Sequence, residues 1–301
     1  MQKLRAFCLE HHISAQWQVP MSDYTSLRIG GAADALIFPS TEEDLVDLLI
    51  FLKDGRIPFR LIGNATNLLV SDDGFRGAFI STRHIRSVFV TGTSVRAACG
   101  TPVNTLCRTL ADCSLRGLEA LYGIPGTVGG AVFMNAGAFG ASLSDRLSLV
   151  SAFNLKSGEI TVIPKSDCGF SYRKSIFSKN RELVILSADF SFSQGSSLSI
   201  RERMREVLDA RIKRHPTALP SAGSVFLRVN DQSAAIWIDR AGLRGARVGG
   251  AAISMQHAGF IVNLGGATAA DALALIKQVK DTVLERFGVV LQTEIEYITA
   301  E

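Results

Sequence analysis

The sequence predicts a mixed α+β protein of more than one domain, and three observations carry that prediction. At 301 residues the chain is long enough for two or three domains with cores of ordinary size. Helical and strand-like patterns interrupt one another along its whole length. A Gly/Ser-rich stretch, Gln194-Gly-Ser-Ser197, is the best linker candidate and divides residues 1–195 from 196–301.

Thr41-Glu-Glu-Asp44 opens a helix: a hydroxyl cap, acids in the first turn, and Leu45, Leu48, Leu49 and Leu52 on one face before Gly55 stops it. Phe59–Ile62 reads as a strand, Gly63-Asn-Ala-Thr-Asn67 as a tight turn, Leu68–Val70 as the next strand, and residues 78–81 as another after Asp72-Asp-Gly74. Val88–Ala98 alternates as one strand. Pro102 stands at the first position of a helix that faces Val103, Leu106 and Leu110 inward. Strands are expected at 149–155, 159–163 and 183–192, and a charged helix at 200–214. The last third holds Trp237-Ile-Asp-Arg-Ala-Gly242, short glycine-punctuated turns and a strand at 259–264. A helix capped by Thr268 with Asp271 three residues on buries Ile276, Val279, Val283 and Phe287 and stops at Gly288. Short strands at 289–291 and 294–298 finish the chain.

Composition narrows the function. A net charge of +4 without a dense basic run fits anionic small molecules better than nucleic acid. Cys8, Cys99, Cys107, Cys113 and Cys168 are odd in number and form no CxxC, against both a disulfide framework and a zinc site; no metal is expected. Met1–Glu10 has no apolar signal core, and no run approaches the ~20 apolar residues of a membrane span, so a cytoplasmic protein is expected.

Gly117–Gly140 is the stretch around which the rest is organised. Seven of its residues are glycine, and its side chains are mostly small or apolar, with Asn135 as the main polar exception. Accessible amides beside an apolar wall suit a large, flat, partly polar ligand; a buried loop packed on a sheet is the alternative. The turn Gly63–Asn67 offers either free amides for a phosphate or an ordinary polar turn. Neither G-x-G-x-x-G nor G-x-x-x-x-G-K-[ST] occurs, so a bound nucleotide requires another scaffold.

Six segments taken together, in order, carry a resemblance: Thr25–Gly31, Gly63–Gly77, Gly123–Ala138, Tyr172–Phe177, Pro220–Phe226 and His257–Asn263. The chain resembles UDP-N-acetylenolpyruvoylglucosamine reductase, the MurB family of peptidoglycan precursor synthesis, over almost its whole length. The resemblance implies a two-subdomain FAD-binding region of the vanillyl-alcohol-oxidase (PCMH) type, about 1–85 and 86–195, and a C-terminal α/β substrate-binding domain, 196–301. It further implies non-covalent FAD, NADPH as hydride donor and UDP-N-acetylglucosamine enolpyruvate as substrate; a monomer is expected. The short interval between Gly242 and Gly259, and the chain end soon after Ile298, resemble the family's shorter type, which lacks a tyrosine-bearing loop.

Residue by residue, the resemblance implies Arg173 on the substrate carboxylate, Ser224 as proton donor to C2, and Glu294 as stabiliser of the same intermediate. A carboxylate beside growing negative charge is repelled, so Glu294 is expected to be protonated, above the ordinary ~4.3. The resemblance assigns FAD contacts to Gly63, Asn64, Ala65, Thr66 and Asn67 for the pyrophosphate, and to Ile124, Pro125, Gly126, Thr127, Gly129, Gly130, Asn135, Ala136 and Gly137 for the ring and adenosine. Tyr172, Arg228 and Arg247 are the substrate candidates. Lys213 and Arg214 either meet the uridine diphosphate or form a solvated helix end, and His257 reads as a packed histidine. Three places depart from the family pattern: Asn64-Ala65-Thr66 replaces Gly-Gly-Ser, Leu227-Arg-Val229 replaces Lys-Asn-Pro, and Glu296 replaces an arginine. Arg228 or Arg247 is the expected compensation for that lost cation. Two rivals stand beside this reading: a covalent-flavin oxidase, and a flavin-binding protein without catalysis.

Overall fold

The computed structural model describes residues 1–300. Its contacts separate two compact units, and the chain passes between them five times. One unit comprises Met1–Gln16, Leu36–Asn64 and Gly77–Arg211; the other comprises Trp17–Ala35, Ala65–Arg76 and Ile212–Glu301.

The first unit holds six helices: α1 (Gln2–Glu10), α2 (Glu42–Asp54), α3 (Val103–Asp112), α4 (Val128–Phe133), α5 (Ile176–Lys179) and α6 (Ser197–Arg214). The α2 helix forms as its sequence predicts. Thr41 accepts from the Asp44 N–H while Asp44 accepts from the Thr41 N–H, and Leu45, Leu48, Leu49 and Leu52 are buried. A five-stranded antiparallel sheet runs in the order 159–164, 147–154, 183–191, 94–98 and 88–91. The expected single strand over 88–98 is therefore two: Thr91 pairs with Ser94 across a two-residue loop, with Gly92 at φ 60°. That left-handed glycine folds the alternating pattern back on itself.

Pro102 is the cap preceding α3, with extended backbone, and not its first helical residue. The glycine-rich stretch contains the short α4, which packs on strands 183–191 and 94–98, and a small hairpin at 137–142. The Gln194–Ser197 stretch is pinned at both ends. Ser193-Gln194 pairs with Leu115-Arg116, Gly195 N–H donates to Ser114 O at 2.8 Å, and α6 begins at Ser197.

The second unit contains a four-stranded antiparallel sheet in the order 221–224, 260–263, 251–253 and 247–248, and a parallel pair, 68–70 with 296–298. Its helices are α7 (Ala234–Arg240), to which the sequence pattern assigned no element, and α8 (Ala269–Phe287). The expected capping box of α8 is present, and Gly288 ends it at φ 67°. Asp72 adds a second cap, accepting from Ala269 N–H and Ala270 N–H at 2.7 and 2.9 Å. Ile276, Val279 and Val283 enter a core that includes Leu27, Ile29 and Leu69. Each such side chain is worth about 1.5–3 kcal/mol when buried. Phe287 does not join them. It is 37% exposed at the last helical position, its ring tilted against Trp237. Residues 289–291 form no strand, and the last strand is confined to 296–298.

The segment Thr25–Gly31 is built to let other backbone pass. Thr25, 3% exposed, donates to Ile29 O, and a Cβ on Gly31 would lie 2.0 Å from Asp72 O. Only glycine fits there.

Candidate functional site

In the first unit the site is assembled from Gly63 and Asn64, the glycine-rich stretch and the Tyr172-Arg173 turn. A Cβ on Gly63 would sit 2.3 Å from Thr127 Oγ1. That hydroxyl is occupied as the cap of α4, accepting from Gly130 N–H at 3.3 Å. Asn64 closes the same seam, donating from Nδ2 to Pro125 O at 2.7 Å. Gly63 and Asn64 thus lie directly on residues 125–127.

The amides of Gly63, Asn64, Ala65, Thr66 and Asn67 donate to no protein acceptor among the described residues. Ala65 is in the left-handed region, φ 49°. A run of unpartnered amides bent through a left-handed residue is the backbone arrangement that holds a phosphate. These residues fit the pyrophosphate of a dinucleotide. On the stretch itself, a Cβ on Gly126 would meet only Ile124 Cγ2 at 3.8 Å, whereas one on Gly129 would meet Cys99 at 3.0 Å. Gly126 therefore keeps space open, and Gly129 permits helix-to-strand packing.

Asn135, 7% exposed, ties the next element in place. Its Nδ2 donates to Ser171 O at 3.0 Å, and its Oδ1 accepts from Ser144 N–H at 3.3 Å. Ser171 and Lys174 exchange backbone hydrogen bonds, leaving Tyr172 and Arg173 at the tip. Arg173 occupies the position of that turn with φ 54°, a conformation that costs a non-glycine residue about 1–2 kcal/mol. Its guanidinium donates from Nη2 to Gly137 O at 3.0 Å and lies 5.2 Å from the Tyr172 ring centroid. Tyr172 itself is 45% exposed. Arg173, Asn135 and Gly137 are thus brought together, and Ala136 is buried between the last two.

In the second unit Ser224 ends the edge strand 221–224, paired with Phe260, after a Gly223 whose φ is 77°. The next residue, Val225, accepts from Glu294 N–H at 2.7 Å, and Asn67 Nδ2 donates to Glu294 O at 3.1 Å. Ser224 and the half-buried Glu294 are therefore near neighbours. Leu227 N–H donates to Gln292 O, carrying the exposed Arg228 along the same pair of segments. Arg247 is elsewhere. It lies on the opposite edge strand, three strands or about 14 Å across the sheet from Ser224, and donates from Nε to Gly249 O at 2.6 Å.

His257 packs as expected of a structural histidine, its ring 4.8 Å from that of Phe260 and its Nδ1 accepting from Gly259 N–H. Burial, aided by Arg244, holds its pKa below 6.5. Sequence reasoning assigned Asn67 to phosphate alone and missed its grip on Glu294, a contact spanning 227 residues with no local signal.

Residues 33–163 match the FAD binding domain family, and residues 215–298 match the family described as UDP-N-acetylenolpyruvoylglucosamine reductase, C-terminal domain. The UDP-N-acetylenolpyruvoylglucosamine reductase of Latilactobacillus sakei is 41% identical over 286 residues, 95% of this chain and 94% of that protein. The enzyme of the same name from Geobacillus thermodenitrificans is 37% identical over 300 residues, 100% of this chain and 97% of the relative. The crystal structure of UDP-N-acetylenolpyruvylglucosamine reductase (MurB) from Thermus caldophilus superposes with a TM-score of 0.80 at 35% identity, covering 95% of this chain and 98% of that one. The expected architecture, a PCMH-type FAD-binding region with a C-terminal substrate-binding domain, agrees with these matches.

Proposed function

Because the chain belongs to the UDP-N-acetylenolpyruvoylglucosamine reductase family, we propose that its two groups of site residues divide one reaction between them. The chain is a flavin-dependent oxidoreductase, UDP-N-acetylmuramate dehydrogenase, which reduces UDP-N-acetylglucosamine enolpyruvate to UDP-N-acetylmuramate in peptidoglycan precursor synthesis. FAD supplies hydride transfer when bound. The finer assignments are our reading: NADPH is the hydride donor, the enzyme works as a monomer, and it acts in the cytoplasm. Among the described residues no helix is long and apolar enough to cross a membrane, which is compatible with that last assignment.

The unpartnered amides of Gly63–Asn67 hold the FAD pyrophosphate, and Ile124–Gly130 with Asn135–Gly137 hold its ring and adenosine. We take 1–195 as the cofactor-binding part and 196–301 as the substrate-binding part. Arg173 faces the substrate carboxylate, where its planar fork of donors matches the charge that accumulates there and on C2 as hydride reaches the methylene carbon. Ser224 gives the proton to C2. Glu294, in its acid form, stabilises the same charge by donating a hydrogen bond instead of repelling it. Arg228, on the segment running beside Glu294, is the candidate to supply the cation that Glu296 removes; Arg247 is kept as a substrate contact more remote from Ser224. Tyr172 shapes the approach to Arg173.

One observation carries most of this reading. Arg173 is held in a strained, left-handed tip by carbonyl groups of the stretch assigned to the flavin. Strain of that kind persists where the surroundings over-determine it and clusters at functional sites.

The test is anaerobic and optical. The yellow protein is reduced with NADPH, and UDP-N-acetylglucosamine enolpyruvate is then added. Return of the oxidised-flavin absorbance with formation of UDP-N-acetylmuramate is expected. Bleaching without return overturns the substrate assignment, and absence of bleaching overturns NADPH as donor.

A further inference from the structure

Arg211 presents a pair of donors that the protein does not use. It lies on α6, one position beyond the buried stripe Ile200, Met204 and Val207, where the helical period continues inward. Its Nε and Nη2 are both buried and have no hydrogen-bond partner. Those two nitrogens form one edge of the guanidinium, the side-on fork that takes two oxygens of a single oxyanion. Residues of the glycine-rich stretch surround it. A Cβ on Gly123 would lie 2.9 Å from Arg211 Nε, and the Phe139 ring centroid is 5.5 Å from its Cζ. Gly123 thus lets the side chain lie flat on the backbone, and Phe139 contacts it without satisfying an N–H. No acidic side chain pairs with it among the described residues.

A guanidinium whose bidentate edge is buried without a partner is costly in the folded chain alone. Burial accordingly lowers its pKa. We propose that Arg211 clamps a pyrophosphate oxyanion side-on through Nε and Nη2. This rests on the reaction assigned above, whose two diphosphate-bearing molecules, FAD and the uridine diphosphate sugar, are the possible sources. Arg173 remains the carboxylate residue, and Lys213 and Arg214, both exposed, lack this geometry.

Arg211→Met keeps the stem and removes the fork; Arg211→Lys keeps the charge and removes only the side-on pair. Binding of FAD is followed by flavin fluorescence, and binding of UDP to the FAD-loaded enzyme by calorimetry. Loss of a charge-assisted pair weakens one of the two ligands by roughly 10- to 100-fold, with the lysine variant intermediate. Weakened FAD with UDP unchanged identifies the flavin pyrophosphate, and the reverse identifies the substrate diphosphate. The flavin-free Arg211→Met protein is expected to melt no lower than wild type, a result that a structural arginine does not give. Both affinities within about twofold of wild type for both variants overturn the proposal, as does a flavin-free lysine variant that melts well below wild type. Should Arg211→Met not fold, the affinities of Arg211→Lys decide. Failure of the wild-type chain to bind either ligand is visible before any variant is made, and overturns the reaction assignment and this clamp together.

Discussion

The backbone N–H of Glu294 donates to the carbonyl of Val225 at 2.7 Å, which seats the glutamate beside the residue that follows Ser224. The Glu294 carbonyl is held in turn by Asn67. Both anchors use backbone atoms of Glu294, so both survive a change of its side chain.

Glu294→Gln is therefore expected to leave the melting temperature close to wild type and to lower kcat strongly. Ser224→Ala removes the proposed proton donor and lowers kcat by about 10²–10⁴-fold. In both variants the bleaching of flavin by NADPH proceeds as in wild type, and only the return of colour on adding the enolpyruvyl substrate slows. Stopped-flow absorbance reads the two steps separately. Normal return of colour in Glu294→Gln would remove Glu294 from the chemistry.

Two glycine substitutions separate ligand space from protein packing. Gly126→Ala places its methyl 3.8 Å from Ile124 Cγ2, an ordinary contact, so stability should change by no more than about 0.5 kcal/mol. If the space above Gly126 belongs to FAD, flavin affinity drops by about tenfold or more. Gly63→Ala drives a methyl to 2.3 Å from Thr127 Oγ1 and disturbs the cap of α4. It should destabilise the protein by about 1–3 kcal/mol as well as weakening FAD. Flavin titration beside urea unfolding distinguishes the pair.

His257 gives the pH dependence a sign. Its folded pKa is below the ordinary 6.5, because burial and Arg244 disfavour the cation. The unfolded chain then binds the proton more readily. The contribution is fully present above pH 6.5 and is lost as pH falls from there through the folded value. Protonation at Nδ1 also ends its acceptance from Gly259 N–H. Urea unfolding between pH 7.5 and 5.5 should show stability declining, with the decline reduced in His257→Gln.

The thiols are sharply ranked by access. Burial pushes Cys99 and Cys107 up to about 12 and Cys8 and Cys168 up to about 11, while Cys113 is exposed. A maleimide at pH 7 should label one thiol per native chain, and none in Cys113→Ser. In urea all five thiols of the wild type should react.

What the sequence revealed of this molecule depended on how local the governing interactions are. The caps at Thr41 and Thr268 and the stop at Gly288 are contacts within one turn of helix, and each forms as read. Val88–Ala98 kept its alternation through Gly92-Thr93, so periodicity alone missed the reversal that a glycine at positive φ permits. Ala234–Arg240 was hidden by the glycine that follows it and is announced only by the Ser233 side chain accepting from Ala235 N–H. In the site, Arg173, Ser224 and Glu294 were identified by motif resemblance. Hydroxyl acidity and carboxyl protonation depend on surroundings that no short stretch encodes. Arg211 could have been found from its place at the inward end of an apolar helical stripe, where an arginine needs a partner.

The way the chain divides between its two compact units bears on the order in which it is made. The Asn263 side chain donates to the carbonyls of Leu27 and Arg28, contacts that span 236 and 235 residues. During synthesis, Trp17–Ala35 and Ala65–Arg76 emerge long before Ile212–Glu301, the segment with which they pack. Those early pieces, with Leu27, Ile29 and Leu69 among them, must wait with apolar surface uncovered until the segment from residue 212 onward has been made. The second unit consequently closes late: a nascent chain held on a ribosome stalled before residue 212 should still expose Leu27 and Leu69 to chaperones.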